Sequence, residues 1–134
     1  MPNKKDIRYR TVEWQHSICM FLIGIILLLP IETMQVAAFT EMVKLMTEPM
    51  WGFLFLFTGM MRMIALFING QAPKGSPAAR LLGSIIGVAL FTLVTTTLIL
   101  AGALFGATLC FIIAVFELKV IYNSTRDLKN DVYA

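Results

Sequence analysis

Four transmembrane α-helices, with an amphipathic helix between the first and second, make up the fold that the sequence predicts, an all-α integral membrane protein. Three observations predict it. No charged residue occurs between Arg80 and Glu117, and a stretch of ~36 uncharged positions suits two crossings of a bilayer core about 30 Å thick rather than one. Hydrophobic residues make up 58% of the chain and charged residues 14%, where soluble domains run near 45–50% and about 25%. Finally, the Lys and Arg residues behind the net charge of +3 sit in segments flanking the apolar runs. A nucleic-acid protein gathers them on one polar face instead.

Each element follows in order. Residues 1–13 are polar and basic, a cytoplasmic N-terminal segment, and the membrane domain covers 14–122. Its first span is expected over 14–31, opened by Trp14 and His16 and carried past Pro30, since membrane helices tolerate proline when neighbours satisfy the freed carbonyl. A cleaved secretory signal with Val36-x-Ala38 as its cleavage site is the competing reading of this region. Between residues 32 and 48, Met34, Ala38, Met42 and Leu45 repeat at helical spacing, and Glu41, Lys44 and Glu48 form another face. That pattern predicts an amphipathic helix lying along the membrane, or a continuation of the first helix beyond the bilayer.

Pro49 is suited to a first helical turn, and the second span is expected over 50–69, with Trp51 as an interfacial aromatic and Asn69-Gly70 as its stop. Gln71 to Ala79 reads as a loop, because Pro73, Gly75, Ser76 and Pro77 all oppose helix. The third and fourth spans are expected over 81–100 and 103–122, joined by a turn at Ala101-Gly102-Ala103. Residues 123–134 form a cytoplasmic tail.

Orientation follows from the basic residues. Lys4, Lys5, Arg8 and Arg10 precede the first span, Lys44 alone separates the first two, and Arg62, Lys74 and Arg80 lie around the next connection. None marks the hairpin tip, and Lys119, Arg126 and Lys129 follow Glu117. Cytoplasmic segments carry the positive excess, so both termini are expected in the cytoplasm.

Within the spans the polar residues Arg62, Glu117, His16 and Asn69 are the candidate site, a cluster in the leaflet nearest the termini. In the expected orientation Arg62 and Glu117 reach nearly the same depth, where a pair between the second and fourth helices would neutralise both. Long charged side chains also snorkel to the headgroups, and a conduction or proton-relay role is the third alternative. Gly83-x-x-x-Gly87 and Gly102-x-x-x-Gly106 have the small-residue spacing that lets membrane helices approach closely. Thr92 and Thr95 to Thr97 are expected to bond their own helix backbone, and the nine methionines to fill packing gaps. One histidine and the dispersed Cys19 and Cys110 build no metal site. No catalytic residues and no cofactor are expected, because no nucleophile stands beside a base and no phosphate-binding loop occurs.

Trp51-Gly52, Gly59, Arg62, Ala65-Leu66, Ile68-Asn69-Gly70, Ser76-Pro77 and Arg80 together resemble small multi-span, holin-like membrane proteins encoded by tailed bacteriophages. The resemblance implies a bacterial inner membrane and a phage origin. The function expected is that of a non-enzymatic phage-type inner-membrane protein, a holin-like pore former or an exclusion factor. A small oligomeric transporter or channel subunit, or an accessory subunit of a larger membrane complex, is the alternative. Expected partners are the lipid bilayer and a homo-oligomer or larger membrane complex, with no nucleic acid.

Overall fold

A computed structural model describes the backbone of residues 4–31, 33–71 and 76–132, and the side chains of 11–31, 33–68, 78–126, 128 and 129. All regular structure among them is helical: α1 (Lys4–Leu28), two 3-10 turns (Thr33–Gln35 and Ala37–Phe39), α2 (Thr40–Leu45), α3 (Glu48–Gln71), α4 (Ser76–Leu100) and α5 (Leu104–Val132). Four segments are long and apolar enough to cross a membrane: Thr11–Leu28, Glu48–Ile68, Ala78–Leu100 and Leu104–Arg126.

The helices extend beyond the apolar runs. α1 begins at Lys4 and α5 reaches Val132, so residues on both sides of the membrane domain continue its helices. α1 stops at Leu28 and does not pass Pro30. The residue before a proline avoids the α region, and the helix ends ahead of it. Ser76 to Ala79, expected in a loop, form the first turn of α4, where Pro77 loses nothing by lacking an N–H; residues 72–75 lie outside the described residues. The hairpin turn falls at Ala101–Ala103. Gly102 has φ +75°, Ala103 N–H donates to the Leu98 carbonyl at 2.8 Å and Gly102 N–H to Ile99 at 3.0 Å. This is a Schellman ending, with glycine in the left-handed position that other residues avoid.

α1 packs along α3 and α4 along α5, and α3 lies against α4 to join the two pairs. The first pairing is close because glycine permits it. A Cβ built on Gly24 would lie 2.3 Å from the Leu56 backbone nitrogen, and one on Gly59 would lie 2.5 Å from that of Phe21. For helices in a bilayer such close packing supplies the attraction, since lipid tails are as apolar as leucine.

The segment between α1 and α3 is not one amphipathic helix. It is the two 3-10 turns and the six-residue α2, folded onto the end of the bundle. Met34 and Met42 are buried against Trp51 and Phe55, whereas Leu45, expected on the same face, is exposed. The Trp51 Nε1–H donates to the Met42 carbonyl at 3.0 Å. Glu48 accepts from Thr33 N–H at 2.9 Å, from the Thr33 hydroxyl and from Met34 N–H at 3.2 Å. These tertiary bonds break the segment where its own periodicity would continue it.

The interior therefore has two zones. Toward the hairpin turn it is apolar: Met34, Met42, Trp51, Phe55, Phe91, Val94 and Leu98. Toward the termini it is polar, with Glu13, Ser17, Arg62, Arg80, Ser84, Glu117 and Ser124 all buried.

Candidate functional site: a buried network of ion pairs

Glu117 on α5 points into the bundle and is wholly buried. Its Oε1 accepts from Arg62 Nη1 on α3 at 2.6 Å and faces His16 Nδ1 on α1 at 2.9 Å. Wherever that carboxylate is ionised it can only accept, and the imidazole then carries its proton on Nδ1. The His16 ring also meets Phe116 edge-on, with centroids 6.2 Å apart. Arg62 Nη1 has a second, weaker partner in Met20 Sδ at 3.5 Å. Its burial leaves no room for snorkelling to a surface, and the pair expected as one alternative is the arrangement found.

α4, which contributes no charge to this pair, makes room for it. A Cβ built on Gly83 would sit 2.6 Å from Arg62 Cγ, and one on Gly87 would sit 2.9 Å from Arg62 Nη1 and 3.4 Å from Glu117 Cδ. The Gly83-x-x-x-Gly87 motif thus admits charged side chains rather than the backbone of a neighbouring helix. Gly102-x-x-x-Gly106 is not a packing motif. Gly102 forms the turn with nothing near its Cβ position, and Gly106 meets only the end of the Leu98 side chain, at 3.4 Å. Asn69 lies in α3, but its side chain is outside the described residues.

A second ion pair lies beside the first. Arg80 on α4 grips Glu13 on α1, with Nε to Oε2 at 2.8 Å and Nη2 to Oε1 at 2.5 Å. This two-pronged geometry is the strongest that a guanidinium and a carboxylate make. Sequence reasoning missed it, because both residues stand at the edges of apolar runs and read as membrane flanks. Helical spacing carried the signal: Glu13, His16, Ser17 and Met20 share one face of α1, and Arg80, Ser84 and Gly87 share one face of α4.

Most hydroxyls, in both halves, turn back on their own helices. Ser17 donates to the Glu13 carbonyl at 2.7 Å, and Thr58, Thr95, Thr96, Thr108 and Thr125 each donate to the carbonyl four residues back. The buried Ser84 and Ser124 hydroxyls and Glu117 Oε2 have no such partner. Cys19 and Cys110 are free thiols, and no group of three metal-ligating side chains occurs among the described residues. At the opposite end an open cleft of about 450 Å³ is lined by residues including Met34, Lys44 and Glu48. Its charges are already engaged, Lys44 by Glu41 at 2.6 Å and Glu48 by Thr33 and Met34.

No known protein family, curated protein or solved structure matches this chain. The arrangement itself does two things chemically. It cancels opposite charges in a buried site where a lone charge would be costly, and it links α1 and α3 to α5 through Glu117 and α1 to α4 through Glu13.

Proposed function

We propose that this is a multi-pass protein of the bacterial inner membrane, both termini cytoplasmic, that acts without catalysis by lateral association in the bilayer, as a phage-type exclusion factor does. The observation that carries the proposal is the inward convergence of Arg62, His16 and Glu117. With those charges paired inside one chain, the outer faces of the long helices are dominated by side chains such as Leu22, Ile26, Phe53, Ile64, Ile85, Phe105, Phe111 and Leu118. Such faces suit lipid or an apolar helix of another subunit. They do not suit the wall of a water-filled pore, which needs polar side chains turned toward it. Within the chain, Trp51, Phe55, Phe91 and Leu98 close the interior on the hairpin side. The holin-like alternative therefore requires the bundle to open and expose its ion pairs.

The test is expression in bacteria with a membrane-impermeant dye outside, followed by purification in mild detergent. Continued growth without dye uptake, and recovery of the chain in a complex larger than a monomer, are the expected results. Dye entry on expression would replace this reading with the pore former.

Glu117 Oε2 gives a second reading a specific basis. A buried carboxylate oxygen without a partner is a position that a proton can occupy, as a small oligomeric transporter would require. Unchanged proton-coupled flux of a cationic dye in vesicles carrying Glu117→Gln would remove that reading.

A further inference from the structure

The cations of the chain divide into two kinds. Arg62 and Arg80 are buried in ion pairs with Glu117 and Glu13, and Lys44 holds Glu41. Arg126 and Lys129 are exposed on α5, and no ion pair to either occurs among the described side chains. Lys119 and Tyr122 are exposed on the same helix, Tyr122 to 69%. The four stand at i, i+3, i+7 and i+10, which at 3.6 residues per turn places them within about 80° of one another around the helix axis. The acidic positions of this segment, 127 and 131, fall outside that arc by the same period. Toward the hairpin turn the same side of α5 is apolar, with Phe111, Val115 and Leu118 exposed. It changes from apolar to cationic in one step, between Leu118 and Lys119, and the membrane-length apolar segment ends at Arg126.

We infer that this stripe is a binding surface for an anionic phospholipid of the leaflet nearest the termini. Its acyl chains lie along Phe111, Val115 and Leu118, Tyr122 sits at the interface as aromatic residues do, and Arg126 and Lys129 meet the headgroup phosphate. A guanidinium binds phosphate through two parallel hydrogen bonds, and an ammonium adds a point charge. A zwitterionic lipid brings the same phosphate with a cation of its own beside it, which these side chains repel. The surface therefore discriminates by the net charge of the headgroup. A soluble anion would meet the cations but gain nothing from the apolar length beside them. The inference takes the bilayer as its setting. It depends neither on the proposed lateral association nor on which side of the membrane the termini face.

Spin-labelled lipids test it on the full chain reconstituted in phosphatidylcholine bilayers, where electron paramagnetic resonance reads the fraction of label held against the protein. Spin-labelled phosphatidylglycerol is expected to exceed spin-labelled phosphatidylcholine in that fraction, and about 1 M salt to erase most of the difference. Arg126→Gln should weaken the preference by up to about five-fold, and the Arg126→Gln/Lys129→Gln chain should lose it. Both positions are exposed, so neither change threatens folding. Lys44→Gln removes the same charge at the other end and is expected to leave the preference unchanged. Equal effects of Arg126→Gln and Lys44→Gln would trace the preference to net charge and overturn the stripe. So would a wild-type chain that prefers neither lipid, or a double variant that keeps the preference. Inorganic phosphate at matched ionic strength is expected to displace no lipid; displacement by phosphate alone would reassign the stripe to a soluble anion.

Discussion

Removing the carboxylate of Glu117 leaves two donors behind, the Arg62 guanidinium, with only the weak Met20 Sδ contact, and the His16 ring. Breaking one side of a buried pair costs about 3–5 kcal/mol, because the remaining charge stays buried, whereas replacing both partners with apolar groups of similar volume costs far less. Arg62→Met and Glu117→Gln are therefore each expected to destabilise the chain by an amount in that range. The double variant should recover about 0.5–3 kcal/mol relative to the sum of the two. Reversible unfolding in mixed micelles measures all three, and strictly additive losses would show that the contact contributes nothing of its own. Much of this was legible in the sequence. Two opposite charges inside apolar runs, each a similar distance from the end of its helix on the side of the termini, had few other ways to be neutralised. Glu13–Arg80 was not legible in the same way, since a charge at the edge of a run has water within reach and no visible need of a partner.

At the scale of the helices, the close approaches and the charged pocket use glycine for different ends, and substitution separates them. On Gly24 or Gly59 a methyl group would meet neighbouring backbone, at 2.3 and 2.5 Å. Backbone cannot rotate aside, so Gly24→Ala and Gly59→Ala should each cost about 1–3 kcal/mol as α1 and α3 are forced apart. Gly106→Ala, facing only the mobile end of Leu98, should stay within about 0.5 kcal/mol of wild type. Equal losses at all three positions would refute the distinction. Gly83 behaves differently again, because the obstacle there is the Arg62 side chain. Gly83→Ala should destabilise the wild-type chain but cost nearly nothing in an Arg62→Ala background, a non-additivity that thermal unfolding of the four proteins would detect. The apolar runs revealed these helices because length and hydropathy are local properties. The motif spacing at 83–87 and 102–106 did not reveal its own use, since glycine in a membrane helix signals a missing side chain without saying what fills the space. The 32–48 segment misled for a related reason. Its helical period is real, but Trp51 and Glu48, which lie outside it or at its edge, supply the bonds that break it.

The whole molecule is polarised along its length, with paired charges toward the termini and an aromatic and methionine plug beneath the hairpin turn. Such an arrangement has a consequence for insertion. The polar half needs both ion pairs formed before it is comfortable at membrane depth, while the plugged half is apolar from the start and can cross first. Positive charge follows the same division: Arg62, Arg80, Lys119, Arg126 and Lys129 lie in the half nearest the termini, and Lys44 lies at the other end. In the proposed topology the basic half is retained in the cytoplasm and α2 lies on the other side. Lys44 and Lys129 are both exposed, so Lys44→Cys and Lys129→Cys can report on the two ends. A membrane-impermeant maleimide added to intact spheroplasts should label Lys44→Cys and leave Lys129→Cys unlabelled until the membrane is opened. The reverse pattern would invert the proposed topology. Labelling of both positions in intact spheroplasts would mean that the chain inserts in both orientations or lets the reagent through, and either result contradicts a bundle whose positive half is held on one side.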